Sequence, residues 1–171
     1  CVAGMMTASP MAAPPRAQAI LDLWHDASDP TVLVVAHRGV HAGERGGRRY
    51  NDRTRLPENS IASIEASIAI GCDMIEVDVR RTKDGRFVLM HDTTLDRTTT
   101  GSGRVDESTL EELAQLRLLD IDGRPTEHRI PTLEEALEAC RGRILVNLDK
   151  TGRFTADCLA IADGMGVADH V

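Results

Sequence analysis

A strand, a helix and a second strand follow one another in the segments TVLVVA (31–36) and PENSIASIEASIAIGCDMIEVDVR (57–80). The first segment is a continuous apolar, β-branched run, which is typical of a strand covered on both faces. In the second segment, Asn59 or Ser60 can cap a helix that Gly71 ends, and the residues after Gly71 predict the next strand. This order is the βαβ unit of a parallel sheet, so the sequence predicts an α/β fold.

Downstream of this unit, strands and helices continue to alternate. The pair Asp84-Gly85 is a strong signal for a tight hairpin turn, and two Thr-x-x-Glu capping boxes mark the starts of two later helices. The further predicted elements are a helix over 14–26, a strand over 87–90, helices capped by Thr109 and Thr132, a strand over 144–148, a helix over 154–165 and the opening of one more strand over 167–171.

The composition excludes several classes of protein. With 171 residues, 42% of them hydrophobic, the chain can form one core of ordinary size. Aromatic residues make up only 2% and the net charge is -7, so no nucleic-acid partner is expected. The four cysteines lack the spacing of a zinc finger, and those at 72, 140 and 158 are expected to be buried, unpaired thiols.

The first residues have the composition of an exported protein. The stretch CVAGMMTASPMAAPP (1–15) is uncharged, small and proline-containing. It suggests either a lipid anchor at Cys1 or the end of a signal peptide, and both predict a periplasmic or envelope-attached protein. The alternative is a linker of a cytoplasmic protein. We therefore expect a leader or linker with a short helix over 1–30 and the main domain over 31–171.

Ionisable residues stand at or near the ends of three predicted strands. His37 follows the first strand, Glu76 and Asp78 lie in the second, and Asp149-Lys150 closes the third. In a parallel α/β barrel the loops after the strands surround one mouth, so these side chains are expected to meet there. Glu76 and Asp78 share one strand face, and two carboxylates on an apolar strand need either a hard cation or contact with solvent.

The predicted hairpin also places a histidine beside the carboxylates. If Asp84 and Gly85 are the two central turn residues, Asp78 lies opposite His91. A neighbouring carboxylate orients an imidazole for general acid or base catalysis. A turn that is longer by one residue would shift this pairing.

Five motifs together carry a family resemblance. HRG (37–39), PENS (57–60), EVD (76–78), TKDGRFVLMHD (82–92) and LDRTTTGSG (95–103) resemble the glycerophosphodiester phosphodiesterases in order and spacing. The resemblance implies a TIM-type (β/α) barrel, about half of which this chain can supply. It also implies cleavage of small-molecule glycerophosphodiesters to sn-glycerol 3-phosphate and an alcohol, with a bound divalent cation, Ca²⁺ or Mg²⁺. A half barrel leaves unpaired strand edges, which favours self-association to close the sheet.

The resemblance assigns roles to six residues. The acid/base pair is His37 and His91, the substrate phosphate contact is Arg38, the metal ligands are Glu76 and Asp78, and Glu58 is a further contact to the phosphate or the metal. We expect Asp149 to be the third metal ligand and Lys150 to be a further phosphate contact, although the family pattern leaves the role of Lys150 open. The substrate's own glycerol hydroxyl would attack phosphorus while one histidine takes its proton and the other protonates the leaving alcohol.

The chain departs from the family pattern at two places besides its length. The family has a Glu and a Lys two residues apart on the third strand, whereas Asp149 and Lys150 are adjacent and are expected to point to opposite faces. The loop over 40–57 is longer and rich in arginine, which suits either an anionic headgroup or solvent.

Two other functions fit the same residues. A phosphatidylinositol phospholipase C or a sphingomyelinase D shares the barrel and the two histidines, although LDRTTTGSG (95–103) favours the glycerophosphodiester family. A half-barrel fragment that cannot assemble a site would be non-catalytic.

Overall fold

The computed structural model describes residues 15–45, 48–50 and 54–171. Residues 1–14, and with them the proposed anchor at Cys1, lie outside the described residues. The strands and helices are α1 (Arg16–His25), β1 (Val35–His37), β2 (Gly43–Arg45), β3 (Arg48–Tyr50), α2 (Ile61–Ala69), β4 (Met74–Arg81), β5 (Phe87–Leu89), α3 (Leu110–Leu113), α4 (Leu133–Cys140), β6 (Leu145–Asp149) and α5 (Thr155–Gly164).

Strand β4 is the centre of the fold. It pairs in parallel with β1 on one side and with β6 on the other, and its last three residues pair antiparallel with β5. The parallel order β1-β4-β6 with helices between the strands is the expected arrangement for one part of a (β/α) barrel. The side chains of Ile75, Val77 and Val79 on β4 are buried.

Two apolar clusters support the sheet and the segment that follows the hairpin. The larger one packs α2, α4 and α5 against the parallel strands, with Ile64, Leu133 and Leu137 at most 1% exposed. The smaller one gathers Val88, Leu113 and other residues between positions 88 and 130. Residues 82–131 therefore form an insertion with an apolar core of its own between β4 and α4.

Helix starts follow the predicted capping residues. The hydroxyls of Ser60, Thr109 and Thr132 each accept a hydrogen bond from the backbone N–H three residues later, which begins α2, α3 and α4. All three form capping boxes, which satisfy two otherwise unpaired donors of the first turn. The described cysteines, Cys72, Cys140 and Cys158, are buried and unpaired as expected.

The hairpin turn is one residue longer than predicted. Thr82 and Arg86 flank a three-residue loop in which Gly85 has φ 81°, and the N–H of Thr82 donates to the carbonyl of Arg86 at 2.8 Å. This is the geometry of a turn followed by a glycine bulge. The register therefore moves by one, and the carbonyl of Asp78 accepts the N–H of Met90 at 2.9 Å. The predicted pairing of Asp78 with His91 is wrong.

Three other segments differ from the sequence prediction. Residues 31–34 do not extend β1, and Val32 and Val34 are 82% and 53% exposed, because no described strand covers the outer edge of β1. The loop over 40–57 contains the antiparallel pair β2–β3. The last residues form a 3₁₀ turn, Ala168–His170, instead of a strand. Within the described chain the longest helices have ten residues, and none is long and apolar enough to cross a membrane.

Candidate active site

Three carboxylates from two neighbouring strands converge near the carboxyl end of the parallel sheet. Glu76 and Asp78 lie on β4, and Asp149 ends β6 opposite Asp78. One ligand oxygen of each residue lies within 4.8 Å of those of the other two. Glu76 and Asp78 are buried, whereas Asp149 is exposed. Strand pairing thus brings together the three residues that were predicted as cation ligands.

The surroundings of Glu76 and Asp149 shift the pKa of each carboxyl group, in opposite directions. Burial raises the pKa of Glu76, the N–H of Arg38 opposes this by donating to Oε2 at 2.9 Å, and the charge of Asp78 adds to the rise. The pKa of the exposed Asp149 is lowered, mainly by the backbone N–H of Lys150. A buried carboxylate beside a second one is costly to ionise without a nearby cation.

Arg38 and Asn59 hold the innermost carboxylate, Asp78, in place. Asn59 donates from Nδ2 to Oδ2 of Asp78 at 2.8 Å and accepts the N–H of Asp78 at 3.1 Å. The Nε of Arg38 lies 3.3 Å from Oδ2 of Asp78 and makes no hydrogen bond within the described part of the chain. Arg38 and Asn59 both have positive φ, 54° and 53°, a strained conformation that often marks functional sites.

The glycine of the HRG motif is required by close packing. Gly39 has φ 77°, and a Cβ built on it would lie 2.7 Å from Cβ of Ser63. The hydroxyl of Ser63 donates to the carbonyl of Arg38 at 3.2 Å. The turn after β1 therefore packs closely against α2, and this contact fixes the positions of His37 and Arg38.

Lys150 lies on the same side as Asp149, contrary to the sequence expectation. Its Nζ lies 3.5 Å from Oδ1 of Asp78 and 3.4 Å from Oδ2 of Asp149. The expectation assumed that the strand continued, but the backbone of Lys150 is left-handed, with φ 58°. This backbone conformation places the ammonium group of Lys150 beside the carboxylates of Asp78 and Asp149.

The two predicted acid/base histidines lie at different sides of the cluster. Nε2 of His37 lies 3.9 Å from Oε2 of Glu76, with its side chain mostly exposed. Nδ1 of His91 is hydrogen-bonded to Oδ1 of Asp92 at 2.6 Å. Because the ionised carboxylate of Asp92 accepts a hydrogen bond from the Nδ1–H of His91, Nε2 of His91 is left for other partners. His91 is also close enough to Asp149 to contribute to lowering its pKa.

Arg97 connects Glu58 to Asp92, the partner of His91. It was not identified as a site residue from the sequence. It donates to both carboxylate oxygens of Glu58 at 3.0 and 2.7 Å, and from Nε to Asp92 at 2.6 Å. Glu58 in turn accepts a hydrogen bond from Arg38 at 3.2 Å. Charge pairs therefore run from Arg38 through Glu58, Arg97 and Asp92 to His91.

This network shifts the pKa of both acids. Hydrogen bonding from Arg97 lowers the pKa of Asp92 to about 2 against the effect of burial. Burial alone would raise the pKa of Glu58, but the hydrogen bonds and charge of Arg97, with that of Arg38, hold it below its usual value. Arg97, Asp92 and Asn59 stand within the quoted motifs LDRTTTGSG, TKDGRFVLMHD and PENS, so the signal for them was present in the sequence.

A cavity of about 360 Å³ opens beside the network. Arg38, Glu58 and Arg97 line it, together with residues near Leu119. Of the loop arginines that were expected to meet a headgroup or solvent, Arg55 pairs with Asp120 and Asp122. The side chains of residues 44–53 lie outside the described part.

Comparison with known proteins identifies the family. Residues 45–156 match the sequence profile of the glycerophosphoryl diester phosphodiesterase family. The chain belongs to this family. Glycerophosphoryl diester phosphodiesterases have a TIM-barrel fold, and the parallel sheet β1-β4-β6 is part of such a barrel. Both the resemblance and the fold class predicted from the sequence are confirmed.

Curated glycerophosphodiester phosphodiesterases include relatives of this chain. One from Caldanaerobacter subterraneus subsp. tengcongensis is 40% identical over 119 residues, which are 68% of this chain and 44% of the relative. Mouse glycerophosphodiester phosphodiesterase 1 is 39% identical over 125 residues, or 71% of this chain and 34% of the relative.

Solved glycerophosphodiester phosphodiesterase structures share the fold. A crystal structure from Parabacteroides distasonis superimposes with a TM-score of 0.73 and 35% identity over 88% of this chain and 49% of that one. A phosphodiesterase of Oleispira antarctica, solved in complex with the product sn-glycerol-3-phosphate, gives a TM-score of 0.60 and 29% identity over 77% of this chain and 52% of that one. The chain thus spans about half or less of the length of these family members.

The predicted division at residue 30, between a leader or linker with a short helix and the main domain, stays a prediction.

Proposed function

We propose that this chain carries the catalytic residues for metal-dependent hydrolysis of glycerophosphodiesters, small molecules derived from phospholipids, to sn-glycerol 3-phosphate and an alcohol. The observation that carries the proposal is a three-carboxylate cluster with a histidine at each side, His37 beside Glu76 and His91 near Asp149. The sn-glycerol-3-phosphate complex of the Oleispira antarctica relative supports the substrate class.

Glu76, Asp78 and Asp149 are the residues that would hold the cation, Ca²⁺ or Mg²⁺. Their chemistry fits, because three converging carboxylate oxygens are the donors that hard cations prefer. The pKa of Glu76, raised by burial, indicates a carboxylate whose charge is only partly compensated. A cation bound there would supply positive charge against the charge that develops on the phosphate.

His37 and His91 would divide the two proton transfers. One takes the proton of the attacking glycerol hydroxyl as the new P–O bond forms, and the other protonates the leaving alcohol as the old P–O bond breaks, which leaves a cyclic phosphate. Water then opens the cyclic phosphate to sn-glycerol 3-phosphate, with the two histidines in exchanged roles. Asp92 orients His91 through Nδ1, so Nε2 of His91 is the atom that exchanges the proton. His37 is exposed, which suits a group that must meet substrate.

Arg38 and Lys150 would position the substrate phosphate, with Glu58 fixing Arg38. The Nε of Arg38 faces Oδ2 of Asp78 at 3.3 Å, and other N–H groups of the guanidinium would donate to the phosphate oxygens. Glu58 holds the other end of the same guanidinium. The cavity beside these residues supplies space for the rest of the substrate.

The test is release of glycerol 3-phosphate from glycerophosphocholine and glycerophosphoethanolamine with Ca²⁺, Mg²⁺ or chelator. His37→Ala and His91→Ala are compared with His25→Ala, which removes an exposed histidine of α1. Cation-dependent release that is lost in the first two variants and kept in the third supports the proposal. No release by the folded wild type would contradict activity of this chain and favour the non-catalytic alternative.

Three sequence-based expectations remain proposals of their own. The outer edges of β1 and β6 pair with no described strand, which supports self-association to close the sheet and is tested by the solution mass. A lipid at Cys1 is tested by mass spectrometry of the exported protein. Periplasmic or envelope attachment, against the cytoplasmic alternative, is tested by fractionation.

A further inference from the structure

A second cavity lies away from the carboxylate cluster and is strongly basic. It has a volume of about 460 Å³ and lies between the end of β4, the insertion and the segment after β6. None of the eight predicted site residues lines it. Its charged lining residues are one acid, Asp106, and five bases, Arg80, Arg81, Lys83, Arg104 and Arg153.

Most of these basic side chains make no close ion pair with a described residue. Arg104 pairs with Asp106 at 2.8 Å. Arg81, Lys83 and Arg153 make no ion pair within 4 Å in the part of the chain that the structure describes. Like charges around one cavity repel one another, and the chain as a whole carries a net charge of -7. The local excess of positive charge is thus a feature of this cavity, where an anion would relieve the repulsion.

Phe154 holds two of the guanidinium groups without neutralising them. The guanidinium carbons of Arg81 and Arg153 lie 5.2 and 4.8 Å from the centre of the ring. The ring is itself braced edge-on by Phe87, with 5.9 Å between ring centres. A cation–π contact orients a guanidinium but uses none of its five N–H donors. Those donors remain available for the paired hydrogen bonds that phosphate accepts.

We propose that this cavity is a second anion site that binds a phosphate monoester. Arginine side chains held in a fixed orientation favour phosphate over a monovalent anion, because they can bind it through paired hydrogen bonds. The volume exceeds that of bare phosphate and is in the range of small organic ligands. Anion binding in this cavity does not require that the chain hydrolyses glycerophosphodiesters. It is nevertheless near the active site, since Arg80, which lines the cavity, donates to the carbonyl of His91.

The test is calorimetric titration of the full chain with inorganic phosphate and with sn-glycerol 3-phosphate, in chelator so that no divalent cation binds phosphate at the carboxylates. The double variant Arg81→Gln/Arg153→Gln removes the stacked pair. Lys83→Gln removes a charge that does not contact Phe154, in case the double variant folds poorly. Arg86→Gln is the control, because Arg86 lies on the same hairpin, pairs with Glu134 and does not line the cavity.

We expect wild type and Arg86→Gln to bind phosphate equally, and the affinity to fall about tenfold in the double variant and severalfold in Lys83→Gln. Binding of sn-glycerol 3-phosphate that is tighter than that of phosphate and weakens in the double variant would support a phosphate monoester as the ligand, and equal binding of the two would contradict it. No phosphate binding by wild type, or unchanged affinity in the folded cavity variants, would overturn the proposal.

Discussion

The ammonium group of Lys150 lies 3.5 Å from Oδ1 of Asp78, one strand away, because the backbone of Lys150 leaves β6 with φ 58°. A residue adjacent to Asp149 thereby shares its face of the sheet. Asp78 receives positive charge from Lys150 at one oxygen and from Arg38 at the other. A cation bound by the carboxylates would compete with Lys150 for Asp78.

Replacing Lys150 tests this competition. In Lys150→Gln we expect Mg²⁺ or Ca²⁺ to bind roughly three- to tenfold more tightly, because a positive charge next to a ligand oxygen has been removed. We expect activity to fall in the same variant, because the substrate phosphate loses its contact with the ammonium group of Lys150. Calorimetry of cation binding checks the first effect. Lys83→Gln is the matched control, since it removes the other lysine of the chain at a site outside the cluster. Equal cation affinity in wild type and Lys150→Gln would contradict the competition.

Asp149 tests the cation site with little risk to folding, because it is the exposed member of the cluster. We expect millimolar Mg²⁺ or Ca²⁺ to raise the melting temperature of wild type, since a ligand that binds only the folded state stabilises it. In Asp149→Asn most of this rise should disappear. Thermal unfolding with cation or chelator is the measurement, and Asp169→Asn, at an exposed acid outside the cluster, is the control. The same rise in both variants would place the cation elsewhere.

Gly39→Ala tests the packing of the HRG turn. The new Cβ would lie 2.7 Å from Cβ of Ser63, at a residue with φ 77°. Gly123→Ala is the matched control, because Gly123 has φ 74° but has open space where the Cβ would lie. We expect Gly39→Ala to lower the free energy of unfolding by about 1–3 kcal/mol more than the control does. Urea unfolding measures both, and equal losses would show that the close approach to Ser63 has no energetic consequence.

Arg97→Gln tests the network that holds His91. Arg97 keeps the pKa of Asp92 at about 2, below its ordinary value of 3.8. A depressed folded-state pKa stabilises the protein above the unfolded-state pKa, and this stability is lost as the pH falls from about 4 to 2. Wild type should therefore lose more stability than Arg97→Gln over this range. Unfolding at pH 6, 4 and 3 measures the difference.

The same variant should also lower activity at pH 7, because Asp92 and Glu58 lose their common partner. Arg141→Gln removes a surface ion pair with Glu138, outside this network, and serves as the control. Parallel pH curves for wild type and Arg97→Gln would be inconsistent with the proposed network.

Local sequence signals predicted the elements better than the connections between them. The Thr132 capping box and the alternation of side chains between the two faces of β4 depend on short-range patterns, so both α4 and the shared face of Glu76 and Asp78 followed from the sequence. The predicted length of the turn at Gly85 was wrong by one residue, because Asp-Gly fits both a two-residue loop and a three-residue loop with a bulge. That single residue moved His91 away from Asp78.

The parts of the site that could not be predicted depend on backbone conformations that the amino-acid sequence does not indicate. Arg38, Asn59 and Lys150 adopt positive φ without being glycine, and tertiary contacts hold them there. The position of Lys150 beside Asp78 is a direct consequence. The role of Arg97 likewise arises from contacts between segments that are 39 residues apart in the chain.

The most direct test of the central claim is ³¹P NMR of glycerophosphocholine incubated with the chain and a divalent cation. The proposed function predicts that the diester signal is replaced by that of sn-glycerol 3-phosphate, with wild type and His25→Ala but not with His91→Ala or chelator. A signal from choline phosphate would show cleavage of the other P–O bond and contradict the assignment. A diester signal that persists with folded wild type and either cation would contradict hydrolysis by this chain.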